Sequence, residues 1–380
     1  MRLALVCNEY PPLPSGGIGT FVHTLAPGLA ARGHAVTVVG LGNEATERLE
    51  DGVRVVSLPG DTRRGLAGLR NRLRLQRWLR REGAQAPWDV VEVPDFQGML
   101  PFRLPGTPVV VRLHLSATAI ARQADQRAGL GTHLFERLTL QRHPDWIAVS
   151  QHASTLTQET FGLTPRSVTV QYYPVSPPTG RAQSLALPGR FWLYAGTLSR
   201  RKGALLVAEA AREALAAHPA HHLVFAGPSI QEAGEDTGET IRAIVGPRLA
   251  ERVHLLGRLD RATLFAVMQA ADALLMPSSL ETFGLVAAEA MWCGTPVIAT
   301  QAPPFTEYLE DGRTGILVPP DDAPALASAL ARLGAFPAWA DALREASQAH
   351  IRQHFSLAAT LTANEALYER LRENTPRRPR

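Results

Sequence analysis

Phe191-Trp-Leu-Tyr-Ala-Gly-Thr-Leu-Ser-Arg-Arg-Lys-Gly203 reads in succession as a buried strand, a glycine-hinged turn and the start of a helix that runs on into a long Ala/Leu segment. A helix beginning directly behind a strand end aims free backbone N–H groups and the positive end of the helix dipole at one point, an arrangement that suits an anion. Lys202 stands at that point, and it is the only lysine among 39 Lys and Arg residues. An ammonium is a compact point charge that fits against a crowded phosphate oxygen, whereas a guanidinium is a planar fork that needs more room. The position therefore predicts a phosphate ligand rather than an incidental surface lysine.

Outward from this stretch the same alternation repeats in both directions. On the N-terminal side, Leu3–Cys7, Ala35–Gly40, Val53–Ser57, Val90–Val93, Val109–Leu113 and Trp146–Val149 read as strands, with a helix over Thr20–Arg32 closed by Gly33-His34. On the C-terminal side the strands are His222–Ala226, Arg252–Leu256, Ala273–Met276, Val297–Ala299 and Gly315–Val318. Continuous β-branched runs between helical stretches predict parallel sheets covered on both faces. Tyr173-Pro-Val-Ser-Pro-Pro-Thr-Gly180 can continue neither element and reads as a linker. The expected fold is α/β, with doubly wound domains over 1–172 and 181–355 and an interdomain cleft between the carboxyl ends of their strands. A last helical stretch over 357–373 is a candidate to cross back and complete the first domain.

At 380 residues the chain is too long for one ordinary core, and with 45% apolar residues it is expected to be globular. A net charge of +4 is too weak to argue for nucleic acid. Cys7 and Cys293 are far apart in apolar contexts, which suits buried thiols in a reducing compartment. The apolar run at Met1–Cys7 is too short for a signal peptide or a membrane span, so the expectation is a cytoplasmic protein. The sequence offers no paired His/Cys ligands and no Asp-x-Asp at a strand end, and neither a metal nor a cofactor is expected.

Two further motifs fall at strand ends. After the first strand the loop Asn8–Gly19 closes with Gly16-Gly17-Ile18-Gly19 and opens a helix, letting backbone approach a ligand closely. In the second half, Ser279-Leu-Glu-Thr-Phe-Gly-Leu-Val-Ala-Ala-Glu-Ala-Met-Trp-Cys-Gly-Thr-Pro-Val297 places Glu281 before a helix expected to begin near Gly284 or Leu285, with Glu289 about one turn inside it. An acid at the helix mouth can accept hydrogen bonds from sugar hydroxyls while the amides around Phe283–Leu285 face a diphosphate. The second acid is placed to grip a hydroxyl pair such as a ribose diol. Read singly, Glu281 is better explained as a capping acid and Glu289 as a solvated helix residue; Phe283-Gly284 between them and Cys293-Gly-Thr-Pro-Val297 after them favour the binding reading.

With Tyr10-Pro-Pro and Gly16-Gly-Ile-Gly19, Arg112-Leu-His114, Gly196 to Lys202-Gly203, Glu281-x7-Glu289, and Glu307-Tyr-Leu-Glu-Asp-Gly312 through Gly315-Ile-Leu-Val-Pro-Pro-Asp321, nearly the whole chain resembles the retaining glycosyltransferases of family 4. That family has two facing Rossmann-like domains in the GT-B arrangement. The resemblance implies a hexosyltransferase whose donor is a nucleotide sugar such as a UDP- or GDP-sugar, held mainly by the second domain, and whose acceptor hydroxyl, on a glycan, a lipid-linked sugar or a small molecule, enters from the first. It implies that Lys202 neutralises the diphosphate, Glu281 holds the sugar hydroxyls and Glu289 the ribose. Phe283, Gly284 and Leu285 would give backbone contacts, Gly16 and Gly17 would close over the phosphates, and His114 would sit beside the transferred sugar as an Nε2–H donor or an imidazolium. Base contacts are expected near Arg258. Where the family commonly carries an arginine after the phosphate-strand glycine, this chain has Thr197, leaving Arg200 or Arg201 as the second cation. Glu92 and Asp95, after the Val90 strand, are candidates to touch the acceptor or act as a base.

By analogy with the family, the diphosphate would help deprotonate the acceptor in a front-face substitution. A sugar-nucleotide epimerase and an idle nucleotide-sugar-binding subunit share the same features and stay open as alternatives. A dehydrogenase fingerprint at Gly40-Leu-Gly42-Asn-Glu-Ala45, with Asp61 beyond it, is disfavoured because Thr46–Asp51 is too short for a crossover helix. Arg63–Arg81 carries arginines without an acid, and Arg70, Arg74, Arg77 and Arg81 share one helical face. That face is either a solvated arginine surface or a contact for anionic membrane at the inner leaflet. The tail Pro376–Arg380 is expected to be disordered.

Overall fold

The computed structural model describes residues 1–11, 16–63, 66–123, 126–178 and 180–374. Part of the glycine-rich loop, Arg64 of the arginine-rich stretch and the tail Pro376–Arg380 lie outside the described residues. The chain forms two compact units, one holding Met1–Pro174 together with the segment from Leu357, the other Val175–Ser356.

The first unit is built on eight strands: β1 (Arg2–Val6), β2 (Ala35–Gly42), β3 (Thr46–Glu50), β4 (Val53–Pro59), β5 (Val90–Pro94), β6 (Val109–Leu113), β7 (Asp145–Ala148) and β8 (Ser167–Val170). They are ordered β3-β4-β2-β1-β5-β6-β7-β8. Neighbours are parallel except β3, which pairs antiparallel with β4 at the edge. Helices α1 (Gly17–Ala31), α2 (Ala67–Gln85), α3 (Ala117–Gln123), α4 (Leu130–Arg142) and α5 (Gln151–Phe161) connect the strands. Alternate strand residues feed a core of Ala4, Val6, Val39, Val56, Val91 and Val111 with Leu75, Trp78 and Leu79 of α2. Burial on both faces is what the unbroken apolar runs require. The order in which the chain adds strands reverses at β1, which pairs in parallel with β2 on one side and β5 on the other, so the carboxyl edge opens a crevice there.

The second unit has a six-stranded parallel sheet of β9 (Phe191–Ala195), β10 (His222–Ala226), β13 (Val253–Leu255), β14 (Ala273–Met276), β15 (Val297–Thr300) and β16 (Ile316–Val318), in the order β13-β10-β9-β14-β15-β16. The short strands β11 (Gln231–Glu232) and β12 (Glu235–Asp236) form a separate antiparallel pair. Its helices are α6 (Ala204–Ala217), α7 (Thr237–Val245), α8 (Arg261–Ala270), α9 (Leu285–Cys293), α10 (Ala323–Ala335) and α11 (Pro337–His354). A core of its own joins Trp192, Tyr194, Phe225 and Leu275 to the alanine and leucine face of α6.

Helix α12 (Leu357–Glu373) belongs to the first unit, where it packs on α1 and buries Leu361, Asn364, Leu367 and Tyr368. Beyond Gly42 the chain forms the edge strand β3 instead of a crossover helix. No helix N-terminus is therefore available to hold a pyrophosphate at Gly40–Ala45, the site of the dehydrogenase fingerprint. Burial pushes the thiols of Cys7 and Cys293 up to about 12, so both are protonated at neutral pH.

Candidate active site

In the second unit, the turn after β9 and the loop after β14 are tied together because their strands are neighbours. Ser279 donates its backbone N–H to the Arg201 carbonyl at 3.0 Å and its hydroxyl to the same oxygen at 3.1 Å. Gly203 has φ +77°, and a Cβ there would stand 2.3 Å from the Pro277 carbonyl oxygen, so only glycine lets these two backbones approach. The result brings Lys202 Nζ to 2.5 Å from Glu281 Oε1, with the Ser278 hydroxyl 3.3 Å from the same oxygen. The lysine keeps 24% of its side chain exposed and the glutamate 10%, so the pair is half-sunk and open to a ligand on one side.

Three residues beyond Glu281, helix α9 begins after Gly284 at φ +80°. No side chain caps it and its first turn carries no acid, which leaves its leading amides for an outside acceptor. Phe283 is buried against the rings of Tyr308 and Phe355, at 5.2 and 5.8 Å, and locks the approach to this helix start. Leu285 is the first residue of the helix. Glu289, the fifth, is buried, and Arg261 holds it through Nε at 3.0 Å. Burial pushes the Glu289 carboxyl up, and Arg261 opposes that shift. Arg261 also donates to the Ser176 carbonyl at 3.0 Å. Sequence reading missed Arg261; its only signal was its place after the N-cap Asp260, three residues beyond Arg258. Arg258 itself is exposed in the loop between β13 and α8.

Thr197 is exposed, and its carbonyl accepts the Tyr194 hydroxyl at 2.8 Å. Arg200 and Arg201 are exposed, and among the described residues neither guanidinium enters an ion pair.

In the first unit, His114 follows β6 and is 8% exposed. Its backbone N–H donates to Asp95 Oδ1 at 2.8 Å, Nδ1 meets the Tyr173 hydroxyl, and the ring lies against Tyr173 and Phe21. Burial first, then the nearby Arg112, hold the imidazole well below its ordinary value. It is neutral at physiological pH, which corrects the imidazolium alternative and leaves a neutral donor or acceptor at Nε2. Tyr173 lay inside the segment read as a linker, where its ring was the one hint of a packed role.

Two acceptor candidates fail on burial. Glu92 is 4% exposed; Arg112 grips both its oxygens at 2.7 and 2.8 Å, and Tyr368 donates to it at 2.7 Å. It is a fixed internal ion pair, and a substrate cannot reach it. Asp95 is fully buried under the backbone of His114. Burial pushes its carboxyl up to about 8, so it is protonated at neutral pH and sealed from an acceptor. At the start of α1, the Gly16 amide already donates to Glu9 Oε2 at 2.9 Å, and a phosphate there has to displace that carboxylate. Gly17 opens the helix, and a Cβ on it would meet nothing within 4 Å.

Arg70, Arg74, Arg77 and Arg81 of α2 line one groove with Leu58, Pro59, Leu73 and Trp78. Arg72 of the same helix points inward instead, donating to the Gly98 and Gly68 carbonyls at 2.8 Å. Among the described residues no helix is long and apolar enough to cross a membrane, and no group of three or more His, Cys, Asp or Glu could hold a metal ion.

Residues 15–177 match the family model for Glycosyltransferase Family 4, and residues 181–350 the model for Glycosyl transferases group 1. Glycogen synthase of Mycobacterium tuberculosis is 28% identical, over 97% of this chain and 94% of that protein. Phosphatidyl-myo-inositol mannosyltransferase of Mycolicibacterium smegmatis is 28% identical over 87% of this chain and 84% of that one. Among solved structures, sucrose-phosphate synthase from Thermosynechococcus elongatus superposes with a TM-score of 0.77 at 24% identity, covering 97% of this chain and 98% of the other. Anabaena HepE in complex with UDP and glucose does so at 0.75 and 19%, covering 97% and 99%. Two Rossmann-like units with these matches define a GT-B glycosyltransferase. The chain belongs to glycosyltransferase family 4.

Proposed function

We propose that this enzyme transfers a sugar, with retention of anomeric configuration and without a metal, from a nucleotide-diphosphate sugar to an acceptor hydroxyl in the synthesis of a glycan, a glycolipid or a small glycoside. The observation that carries this reading is the Lys202–Glu281 pair set beside the uncapped start of α9. Without a ligand the two charges neutralise each other. A donor diphosphate offers Lys202 a better-matched anion, and the freed Glu281 oxygen then accepts from the sugar hydroxyls. Lys202, the α9 amides, Arg200 and Arg201 stabilise charge developing on the departing diphosphate, an electrostatic role that needs no metal. Glu289, held by Arg261, would take the ribose, and Arg258 would lie toward the base.

In the second unit neither carboxylate stands ready as a nucleophile, since Lys202 holds Glu281 and Arg261 holds Glu289. A retaining glycosidase needs two carboxylates about 5–5.5 Å apart around the bond it cleaves. A front-face substitution fits better: the anomeric C–O bond to the diphosphate breaks, a phosphate oxygen takes the acceptor proton, and the new C–O bond forms on the same face. His114, neutral, would bond to a sugar hydroxyl. The names of relatives and the ligands bound to HepE support a nucleotide-sugar donor, UDP- and GDP-sugars being the first to test. The α2 arginine groove fits peripheral contact with anionic lipid at a cytoplasmic membrane face. Liposome flotation showing no preference for anionic vesicles would remove that part.

The decisive experiment is thermal shift against UDP-, GDP-, ADP- and dTDP-sugars with and without EDTA, followed by turnover of the best donor. One donor should raise the melting temperature regardless of EDTA. Lys202→Ala should lower kcat by about 10²-fold or more while the protein stays folded, and Glu281→Ala should do likewise. Full activity in both variants would refute the site.

A further inference from the structure

A second cleft, of about 490 Å³, opens at the carboxyl edge of the first unit's sheet, where β1, β2 and β4 end and β3 begins. That edge also carries His114, at the end of β6. The volume is in the range of small-molecule sites. Its floor is apolar, from Val38 and Val55; beside the charged Glu44 and Arg48, its polar lining is neutral and includes Asn43 and Thr46, both exposed, and Tyr10. Tyr10 is 4% exposed, and among the described residues its hydroxyl has no hydrogen-bond partner. A buried hydroxyl without a partner is a cost the fold recovers only if something else bonds to it.

Charge at this cleft argues against an anionic guest. Its one cation, Arg48, donates to Glu50 at 3.0 Å and to the Pro11 carbonyl. Glu44 lines the rim, and His23, edge-on to Tyr10 at 5.3 Å, faces Glu50 at 3.6 Å. Burial first, then Glu50, push the pKa of the Tyr10 hydroxyl up, with Arg48 opposing and Asp51 adding to the rise, so the hydroxyl keeps its proton and the carboxylates outnumber the one cation around it. A phosphate would lose its hydration and gain no free cation. A ring carrying hydroxyl groups gains an apolar floor for its C–H face and neutral donors and acceptors for its rim.

Resting on the function proposed above, we infer that this cleft is the acceptor subsite, and that it takes an uncharged glycosyl or polyol ring in preference to a sugar phosphate. The test uses the full chain with its best donor. Methyl α-glucoside, maltose and myo-inositol are compared with glucose 6-phosphate by saturation-transfer NMR and in turnover. Asn43→Ala/Thr46→Val serves as the main variant because both positions are exposed, with Tyr10→Phe beside it. A neutral ring should bind and accept sugar, and its KM should rise about tenfold or more in the double variant while the donor-induced thermal shift is kept. Preference for glucose 6-phosphate, or an unchanged KM in the double variant, overturns the inference with the function intact. Loss of the donor shift in the unmutated enzyme would instead strike at the function itself.

Discussion

Asp95 shows how one buried group sets a pH profile. Its carboxyl, pushed up to about 8 by burial, keeps its proton in the folded chain, while an unfolded aspartate loses it near 3.8. Between those values the folded state binds more protons, so this group's contribution falls as pH rises, by up to about 1.4 kcal/mol per pH unit. His143 works in the opposite direction. Burial lowers it to about 4 from 6.5, and its contribution is lost as pH falls through that window. Replacing Asp95 by Asn keeps an acceptor for the His114 amide and removes only the first slope. We expect Asp95→Asn to gain stability over wild type progressively from pH 4 to pH 8, read as the difference in melting temperature across a pH series. A constant difference would mean that Asp95 ionises normally. The site pairing has the same dependence on environment. The unique lysine and the Glu281-x7-Glu289 spacing were legible in the sequence, but the Lys202–Glu281 contact depends on β9 and β14 being neighbours, which no local pattern encodes.

Helix α9 depends at its start on a residue without a side chain. A Cβ on Gly284 would come 2.7 Å from the Phe305 ring and 3.0 Å from the Tyr308 hydroxyl, in a backbone conformation, φ +80°, that L-residues resist. Gly284→Ala should cost about 1–3 kcal/mol by urea unfolding and weaken donor binding disproportionately, because relief of the clash tilts the helix amides. Donor affinity unchanged in a destabilised variant would argue that these amides do not hold the diphosphate. Most elements were legible because parallel strands buried on both faces leave unbroken apolar runs. β3 was not, since Thr46-Glu-Arg-Leu-Glu50 is charged and lies on an edge; the signal was Asp51-Gly52, with φ +48° and +77°, a hairpin turn that reverses the chain onto β4. The arrangement around α12 was equally hidden. Arg112, Glu92, Asn364 and Tyr368 form one buried network, yet its halves are separated by the whole second unit in sequence.

At the scale of the whole molecule, the chain passes between units twice, at Pro174–Val175 and at Ser356–Leu357, so the second unit is an insertion within the first. Each has its own core, and a core is what makes a unit unfold cooperatively. The groups proposed to hold the diphosphate and ribose, Lys202, Glu281, Glu289 and the α9 amides, all belong to the second unit. A ligand stabilises what binds it by an amount set by its concentration over Kd, about 2.7 kcal/mol at a hundredfold excess. Calorimetry should therefore show unfolding that departs from a single two-state transition, with saturating nucleotide sugar raising chiefly the component of the second unit. Hydrogen exchange assigns it: amides of β9, β10 and β14 should gain protection with donor, while those of β1, β2 and β5 change little. Equal gains in both sheets would show instead that the donor is gripped as strongly by the first unit, and the division of labour between donor and acceptor sites would have to be redrawn.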